Sequence, residues 1–271
     1  MKRKIKKILL YMPATVLLVI SVYPMLWTLC GAVNTESQLG RISLIPEGFS
    51  IKNFITIFTE YDFLLYIGNT IFYSAIVVVC SLFVNSMAAY ALARLTFRGK
   101  KVAFVLVMST MMIPFSVTMI PLFVIIRSMG LADSLWALIL PSLAGGFGIF
   151  MLRQFYLSIP VDLENAAKID GLSYFGIYRK IIVPLSRPVM LSLGLFAFLS
   201  CWNSYLWPLI VNTSEKYWVI SIGIASFSSA RNTDWNMILA GAVISMTPTA
   251  ILFAFFQRYF VEGIKVSGIK G

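Results

Sequence analysis

Six long stretches of this chain contain no charged residue, and they limit the possible folds more than any other feature. They are Ile8–Val33, Ile67–Ala93, Val102–Ile126, Ser134–Leu152, Pro188–Ser214 and Trp235–Gln257. Each exceeds the roughly 18 apolar residues that indicate a membrane-crossing helix. A Lys, Arg or Asp at the centre of such a helix would cost about 2.5–3.5 kcal/mol. The sequence therefore predicts an all-α integral membrane protein with six transmembrane helices in a single domain over residues 1–271.

The composition supports lipid, rather than a soluble core, as the environment of the apolar residues. Charged residues make up 12% of the chain, whereas soluble proteins carry about 25%. There is no histidine in the sequence, which excludes histidine metal sites and Ser-His-Asp triads. The three cysteines, Cys30, Cys80 and Cys201, each lie inside an apolar stretch, so neither disulfides nor a zinc site are indicated.

Basic residues alternate between the connectors and predict the orientation. The N-terminus, the connectors after the second and fourth spans and the tail 258–271 carry 17 of the 22 basic residues but 4 of the 11 acidic ones. By the positive-inside rule this side is cytoplasmic, and it includes both termini. Since the positive charge follows the topology, we expect no nucleic-acid partner.

Polar and aromatic residues inside the spans are the candidates for a solute pathway. Ionisable residues within spans are the usual sign of an ion-coupled carrier, and their absence predicts that energy for uphill transport enters from outside the membrane. Such residues can line a pathway, but buried Asn and Ser also join helices, and Trp anchors at interfaces. The candidates are Asn69, Asn85, Ser116, Thr118, Trp202, Asn203 and Tyr205.

The connector 153–187 has the pattern of a helix-turn-helix. Pro160 precedes a helical stretch whose first turn contains Asp162 and Glu164, as the helix dipole favours. Gly171 can adopt the positive φ that ends a helix, and a second amphipathic segment follows it. We predict a cytoplasmic helix-turn-helix loop that a partner can approach. The alternative is an amphipathic loop lying on the bilayer surface.

One run in this connector resembles a known family. Residues 164–171, Glu-Asn-Ala-Ala-Lys-Ile-Asp-Gly, followed by Pro184-Leu185, are similar to the EAA loop of permease subunits in binding-protein-dependent ABC importers. Further segments resemble the carbohydrate branch, and in particular the six-helix subunit of the maltose-permease type. They are residues 88–100, 112–123, 201–209 and 263–271.

The resemblance implies a transmembrane permease subunit of an ATP-driven carbohydrate importer in the bacterial cytoplasmic membrane. The implied partners are a second homologous permease, two cytoplasmic ABC ATPase subunits, an external solute-binding protein, a sugar and membrane lipid. The loop 153–187 would couple the chain to the ATPases, and the tail 258–271 is a further candidate contact. The implied contact residues are Glu164, Asn165, Ala166, Ala167, Asp170, Gly171, Ser173 and Tyr174.

Asn165 departs from the family pattern, which has glutamate directly before Ala-Ala. Asparagine keeps hydrogen-bonding capacity but loses the charge. We therefore expect ATPase binding to depend on shape complementarity and on the carboxylates of Glu164 and Asp170.

The chain is not expected to be an enzyme. It contains no G-x-x-x-x-G-K-[ST] segment, so we expect it to bind no cofactor and the partner subunits to use ATP and Mg. Two alternatives stay open: an ABC permease for another solute, such as a polyol or peptide, and an ATPase-independent channel or carrier. The segment Trp-Asn-x-x-Leu-Trp-Pro, residues 202–208, favours the sugar.

Overall fold

The computed structural model describes residues 2–35, 48–228 and 233–268, with side chains described from Tyr11 to Phe256 within these ranges. This part of the chain is helical and contains no strand longer than an isolated bridge, which confirms the predicted all-α class. The helices are α1 Lys2–Val33, α2 Lys52–Thr59, α3 Phe63–Arg94, α4 Lys100–Thr110, α5 Phe115–Ser128, α6 Leu135–Ile139, α7 Gly146–Ser158, α8 Val161–Ile169, α9 Tyr174–Ile177, α10 Val183–Leu185, α11 Arg187–Trp202, α12 Leu206–Val211, α13 Ile220–Ala225 and α14 Trp235–Gly268.

Four segments of the described chain are long and apolar enough to cross a membrane unaided. They are Tyr11–Val33, Phe63–Arg94, Leu135–Ser158 and Trp235–Phe256. Two bent pairs qualify when each is taken as one span: α4 with α5, at an angle of 102°, and Tyr174–Leu185 with α11, at 78°. Counting each bent pair once gives six, as predicted, although the second pair begins at Tyr174, within the predicted loop 153–187, and not at residue 188.

The predicted third and fourth spans differ from the observed helices. The third is interrupted between Thr110 and Phe115, because Pro114 disfavours a helical conformation in the residue before it. The fourth is predicted to end at Leu152, but α7 continues to Ser158. Leu152 and Tyr156 both lie in the core, so the apolar face of α7 extends past the charge of Arg153.

The predicted fifth span, 188–214, is also not continuous. Its helix α11 ends at Trp202, and helical structure resumes at Leu206 as α12, which ends at Val211. Residues 203–205 form the break. Helix breaks within apolar segments leave backbone groups that must find partners inside the protein.

The chain divides into two compact units, whereas the sequence predicts one domain. The first comprises the described residues of Met1–Leu64 and Ile222–Ile251. In it the carbonyl of Asn34 accepts hydrogen bonds from the amides of Asn53, at 3.3 Å, and Asn236, at 2.7 Å. The Phe63 and Phe227 rings stack 6.1 Å apart.

The second unit, Leu65–Ser221 with the described part of Leu252–Gly271, is organised around α3. Of the apolar window of α3, 39% is buried, against 11% for Tyr11–Val33, so α3 faces protein to a far greater extent. By the predicted orientation, the half of α3 nearer the cytoplasm contributes Ala89, Tyr90 and Leu92 to the main core. The same core includes Tyr156 of α7 and Ile177 of α9.

Gly146 allows the start of α7 to approach α4 closely. A Cβ at this position would lie 2.8 Å from the Val107 carbonyl oxygen and 2.7 Å from Cγ of Met111. A backbone oxygen cannot move aside without disturbing α4. The neighbouring Gly145 has extended backbone, and no atom lies within 4 Å of the place that a Cβ would occupy there, so it tolerates a methyl group.

We predict that Gly146→Ala destabilises the protein by about 1–3 kcal/mol, the usual cost of overpacking. Gly145→Ala is the matched control and should leave stability close to that of the wild type. Thermal unfolding of both purified variants in detergent checks this. Equal unfolding temperatures for the two variants would contradict the close approach of α7 and α4.

Candidate functional site

Residues 160–185, here called the elbow, form a helix, a turn and a second helical segment. Helix α8 begins after Pro160, with Asp162 and Glu164 in its first turn, and ends at Ile169. Gly171 adopts φ +79°, a conformation that glycine accepts at little cost, and reverses the chain. The Ser173 hydroxyl then accepts a hydrogen bond from the Gly176 amide and caps α9. A π-helical turn, Tyr178–Ile182, joins α9 to α10.

The elbow separates the predicted partner-contact residues into an outer and an inner set. Ile169, which the sequence analysis did not select, is 89% exposed at the tip. Glu164 and Ala167 are each only 4% exposed and lie on the inner face of α8. The outer set comprises Asn165, Ala166, Asp170, Gly171, Ser173 and Tyr174.

The structure places Glu164, one of the predicted partner-contact residues, against the end of α3. Its carboxylate Oε1 lies 2.6 Å from Nε of Arg94, the last residue of α3. Both side chains are largely shielded from solvent, so the acid is already paired inside the chain. The sequence gives no local signal for this pair, because its two members are 70 positions apart.

Tyrosine hydroxyl groups tie the second segment of the elbow to α3 and α7. The Ser86 hydroxyl lies 2.6 Å from that of Tyr156 and 2.9 Å from that of Tyr178. Tyr90 donates a hydrogen bond to the Tyr174 carbonyl at 3.3 Å. These residues were not predicted from the sequence. The available signal was a serine and a tyrosine one turn apart, Ser86 and Tyr90, near the end of an apolar span.

Two of the predicted pathway residues have structural partners instead. The Asn69 amide donates to the carbonyls of Lys216, at 2.9 Å, and Trp218, at 2.8 Å. The Asn85 carbonyl oxygen accepts from the Gly145 amide at 3.0 Å, just ahead of α7. Both side chains are buried. They satisfy backbone groups that the helix breaks and loops leave free.

The remaining pathway candidates lie at helix breaks or helix starts. Trp202 is buried and stacks on Phe198 with ring centroids 5.3 Å apart, so it is internal. Asn203 and Tyr205 are exposed in the break between α11 and α12. Ser116 is exposed and Thr118 half-buried at the start of α5. The Phe115 and Trp207 rings meet edge-to-face at 6.0 Å, which brings the start of α5 against α12.

Tyr73 of α3 links two of the breaks. Its buried side chain lies near Ser142, between α6 and α7, and near Ser204, between α11 and α12. The Ser204 carbonyl accepts from the Ser221 hydroxyl at 2.6 Å. The broken helices are thus held at defined positions along α3.

Asp133 fastens the connector after α5 to the connector after α12. Its carboxylate accepts hydrogen bonds from the amides of Thr213, at 3.0 Å, and Ser214, at 2.9 Å, and from the Ser214 hydroxyl. The hydrogen bonds from Ser214 lower the pKa of Asp133, with a smaller contribution from the Thr213 amide. A lowered pKa means that the folded state favours the charged carboxylate.

We predict that Asp133→Asn lowers the unfolding temperature by a few degrees at pH 7 and that this loss disappears in acid. The stabilisation by a carboxylate of lowered pKa is complete above its unfolded pKa of about 3.9 and is lost as the pH falls through the folded value. Thermal unfolding between pH 7 and pH 3 measures the difference. Glu215→Gln, which removes an exposed carboxylate nearby, is the control. A pH-independent difference would contradict this assignment.

Apolar helices with repeated breaks and an elbow with an exposed outer face are features of membrane transport subunits, and the comparisons with known proteins agree. The family described as binding-protein-dependent transport system inner membrane component matches residues 85–266, two thirds of the chain. The chain belongs to this family. Membership also places it in the inner membrane.

Relatives resemble the chain over almost its whole length. The arabinooligosaccharides transport system permease protein AraQ of Halalkalibacterium halodurans is 38% identical, with 93% of this chain and 92% of the relative covered. The lactose transport system permease protein LacG of Rhizobium radiobacter is 30% identical, with 97% of each covered.

Among solved structures, a bacterial ABC transporter involved in the import of the acidic polysaccharide alginate contains a chain of the same fold. Its TM-score is 0.84 at 23% identity, with 96% of this chain and 98% of that chain covered. A structure of the bacterial alginate ABC transporter in complex with an alginate pentasaccharide-bound periplasmic protein has a TM-score of 0.69 at 15% identity, with 94% of each chain covered.

Proposed function

We propose that the chain is one of two permease subunits of an ATP-driven importer of oligosaccharides. The observation that carries the proposal is the elbow, whose outer face is exposed while its inner face is bonded to α3 and α7. The relatives named for arabino-oligosaccharide and lactose transport support a carbohydrate as the solute. The cytoplasmic position of the elbow and of both termini follows from the positive-inside rule.

In this proposal a pair of cytoplasmic ATPase subunits binds the outer face of the elbow of each permease. Ile169 and Tyr174 offer exposed apolar surface, and Asp170 offers a charge beside them. Asn165 contributes hydrogen bonds without charge. ATP and Mg bind in the ATPase subunits, and their closing motion moves the elbow together with the helices on which it packs.

The proposed solute path runs past the break in α11–α12 and the start of α5. Tyr205, 40% exposed, offers an aromatic face, and Asn203 offers an amide. Ser116 and Thr118 add hydroxyl groups at the neighbouring helix start. A few placed polar groups among aromatic walls are typical of small-molecule sites. A solute-binding protein would deliver the sugar from outside, as the complex with the alginate-bound periplasmic protein suggests.

The elbow proposal predicts that Asp170→Lys weakens ATPase binding by about tenfold, equivalent to 1.4 kcal/mol. The reversed charge opposes a partner surface that accepts a carboxylate. Membrane insertion should be normal. Co-purification of the ATPase subunits and hydrolysis stimulated by the binding protein measure the effect. Asp62→Lys is the control, because it makes the same charge change at an exposed acid on the predicted outer side. Wild-type stimulation in the Asp170 variant would refute coupling through the elbow.

The carbohydrate proposal predicts ATP-dependent uptake of neutral oligosaccharides by the complete transporter in proteoliposomes. The test compares radiolabelled arabino-oligosaccharides, lactose and maltose oligosaccharides with polyols and tripeptides. Tyr205→Ala should reduce sugar uptake several-fold, whereas Tyr23→Ala, at an exposed tyrosine of α1, should not. Preferential peptide or polyol uptake would support the second kind of importer. Transport by the purified chain without ATPase subunits would establish a channel or carrier instead.

A further inference from the structure

The C-terminal ends of α3 and α7 are each capped by an arginine from the other helix. Arg153 of α7 donates from Nε to the Leu92 carbonyl of α3 at 3.2 Å. In return, Arg94 of α3 donates from Nη2 to the Tyr156 carbonyl at 2.7 Å and the Ile159 carbonyl at 2.5 Å, at the end of α7. Cations at helix C-termini satisfy free carbonyls and interact favourably with the helix dipole. Hydrogen bonds from charged side chains therefore hold the ends of α3 and α7 together.

A third cation strengthens the same region from α4. Lys100 donates from Nζ to the carbonyls of Ala93, at 3.1 Å, and Leu95, at 2.8 Å. Arg94, Lys100 and Arg153 thus bring positive charge to one place, and Glu164 supplies a carboxylate there. A buried charge is costly unless it is paired, so Glu164 compensates the site and α8 is held to it.

Arg94, at the end of α3, contacts two further segments. Its Nε pairs with Glu164 of α8, while its Nη2 holds the end of α7, and its own backbone ends α3. Guanidinium is planar and presents its donors in a fixed fork, so the two Nη2 hydrogen bonds set the direction of the side chain, while the contact with Glu164 is an ion pair. Apolar contact by Ala167 on the same face of α8 would by itself allow sliding.

We propose that Arg94 and Glu164 are the positioning residues that lock the elbow to α3 and α7, so that force applied to the outer face reaches the membrane helices. Neither residue touches the ATPase in this proposal. Loss of the lock leaves the outer face able to bind the ATPase subunits but lets α8 move independently of α3. ATP hydrolysis then continues without the corresponding solute movement. This inference rests on the proposed role of the elbow.

The experiment uses the complete transporter in proteoliposomes, with the neutral oligosaccharide that shows the highest uptake in the panel above. Glu164→Ala should retain the ATPase subunits and ATP hydrolysis but lower the solute transported per ATP by about tenfold, within the range of residues that modulate coupling. Asp162→Ala, an exposed acid of the same helix, and Arg98→Ala, an exposed cation after α3, are the matched controls. Both should keep the wild-type ratio.

A residue needed only for folding would act differently. It would reduce the amount of assembled transporter and lower uptake and hydrolysis together, leaving their ratio unchanged. An unchanged ratio in Glu164→Ala would therefore overturn the proposal. Arg94→Lys, which keeps the charge but loses the fork, provides a milder variant if Glu164→Ala assembles poorly. It should lower the ratio below that of the wild type, and a wild-type ratio would overturn the proposal.

A distance measurement tests the lock without solute. Spin labels at positions 162 and 98 of the assembled transporter should give a narrow distance distribution that broadens when Glu164→Ala is added. An equally narrow distribution would overturn the proposal. The Asp170→Lys variant separates the two ideas. If it leaves ATPase binding and stimulated hydrolysis intact, the proposed docking face is wrong; if it disrupts them while Glu164→Ala keeps the ratio, only the lock is wrong.

Discussion

Every backbone amide and carbonyl inside an apolar layer needs a partner, and the helices of this chain break often enough to leave many of them free. Helix α3 supplies partners at several levels. Asn85 accepts from the amide just ahead of α7, Thr70 accepts from the amide of Ile220, and Asn69 binds the connector after α12. Because unsatisfied groups are so costly in hydrocarbon, these contacts hold the broken helices in place. The positions of the other helices of the second unit depend on these side chains of α3.

The elbow also depends on partners for buried polar groups, and here some of those groups are charged. Its inner face is fixed by an ion pair and by hydroxyl groups of Ser86, Tyr156 and Tyr178, all shielded from solvent. Its outer face carries Ile169 and Asp170 without comparable internal contacts. This arrangement suits a segment that binds a partner through its outer face and transmits movement to the membrane helices through its inner face. Membership of the binding-protein-dependent transport family agrees with this use.

Much of the fold was accessible from the sequence because membrane insertion imposes a simple cost on charge. The all-α class, the apolar spans and the helix–glycine–helix pattern around Gly171 follow from local composition and backbone preference. The solute-pathway assignments stay predictions. Asn69, Asn85 and Trp202 are polar or aromatic in apolar spans, which is equally the pattern of residues that join helices, and burial distinguishes the two uses. Asn203 and Tyr205 remain candidates because the break between α11 and α12 exposes them.

The sequence by itself determined that this chain spans a membrane, which segments are apolar, and that a short helical loop of a known family pattern interrupts them. Those properties depend on residues close together in the chain. Only the tertiary structure decided that Glu164 faces inward to Arg94, that α7 continues past Arg153, and that the fifth predicted span breaks at residues 203–205. Each of these depends on a partner far along the sequence, since a buried charge or a free backbone group is tolerated only where folding brings its partner to it.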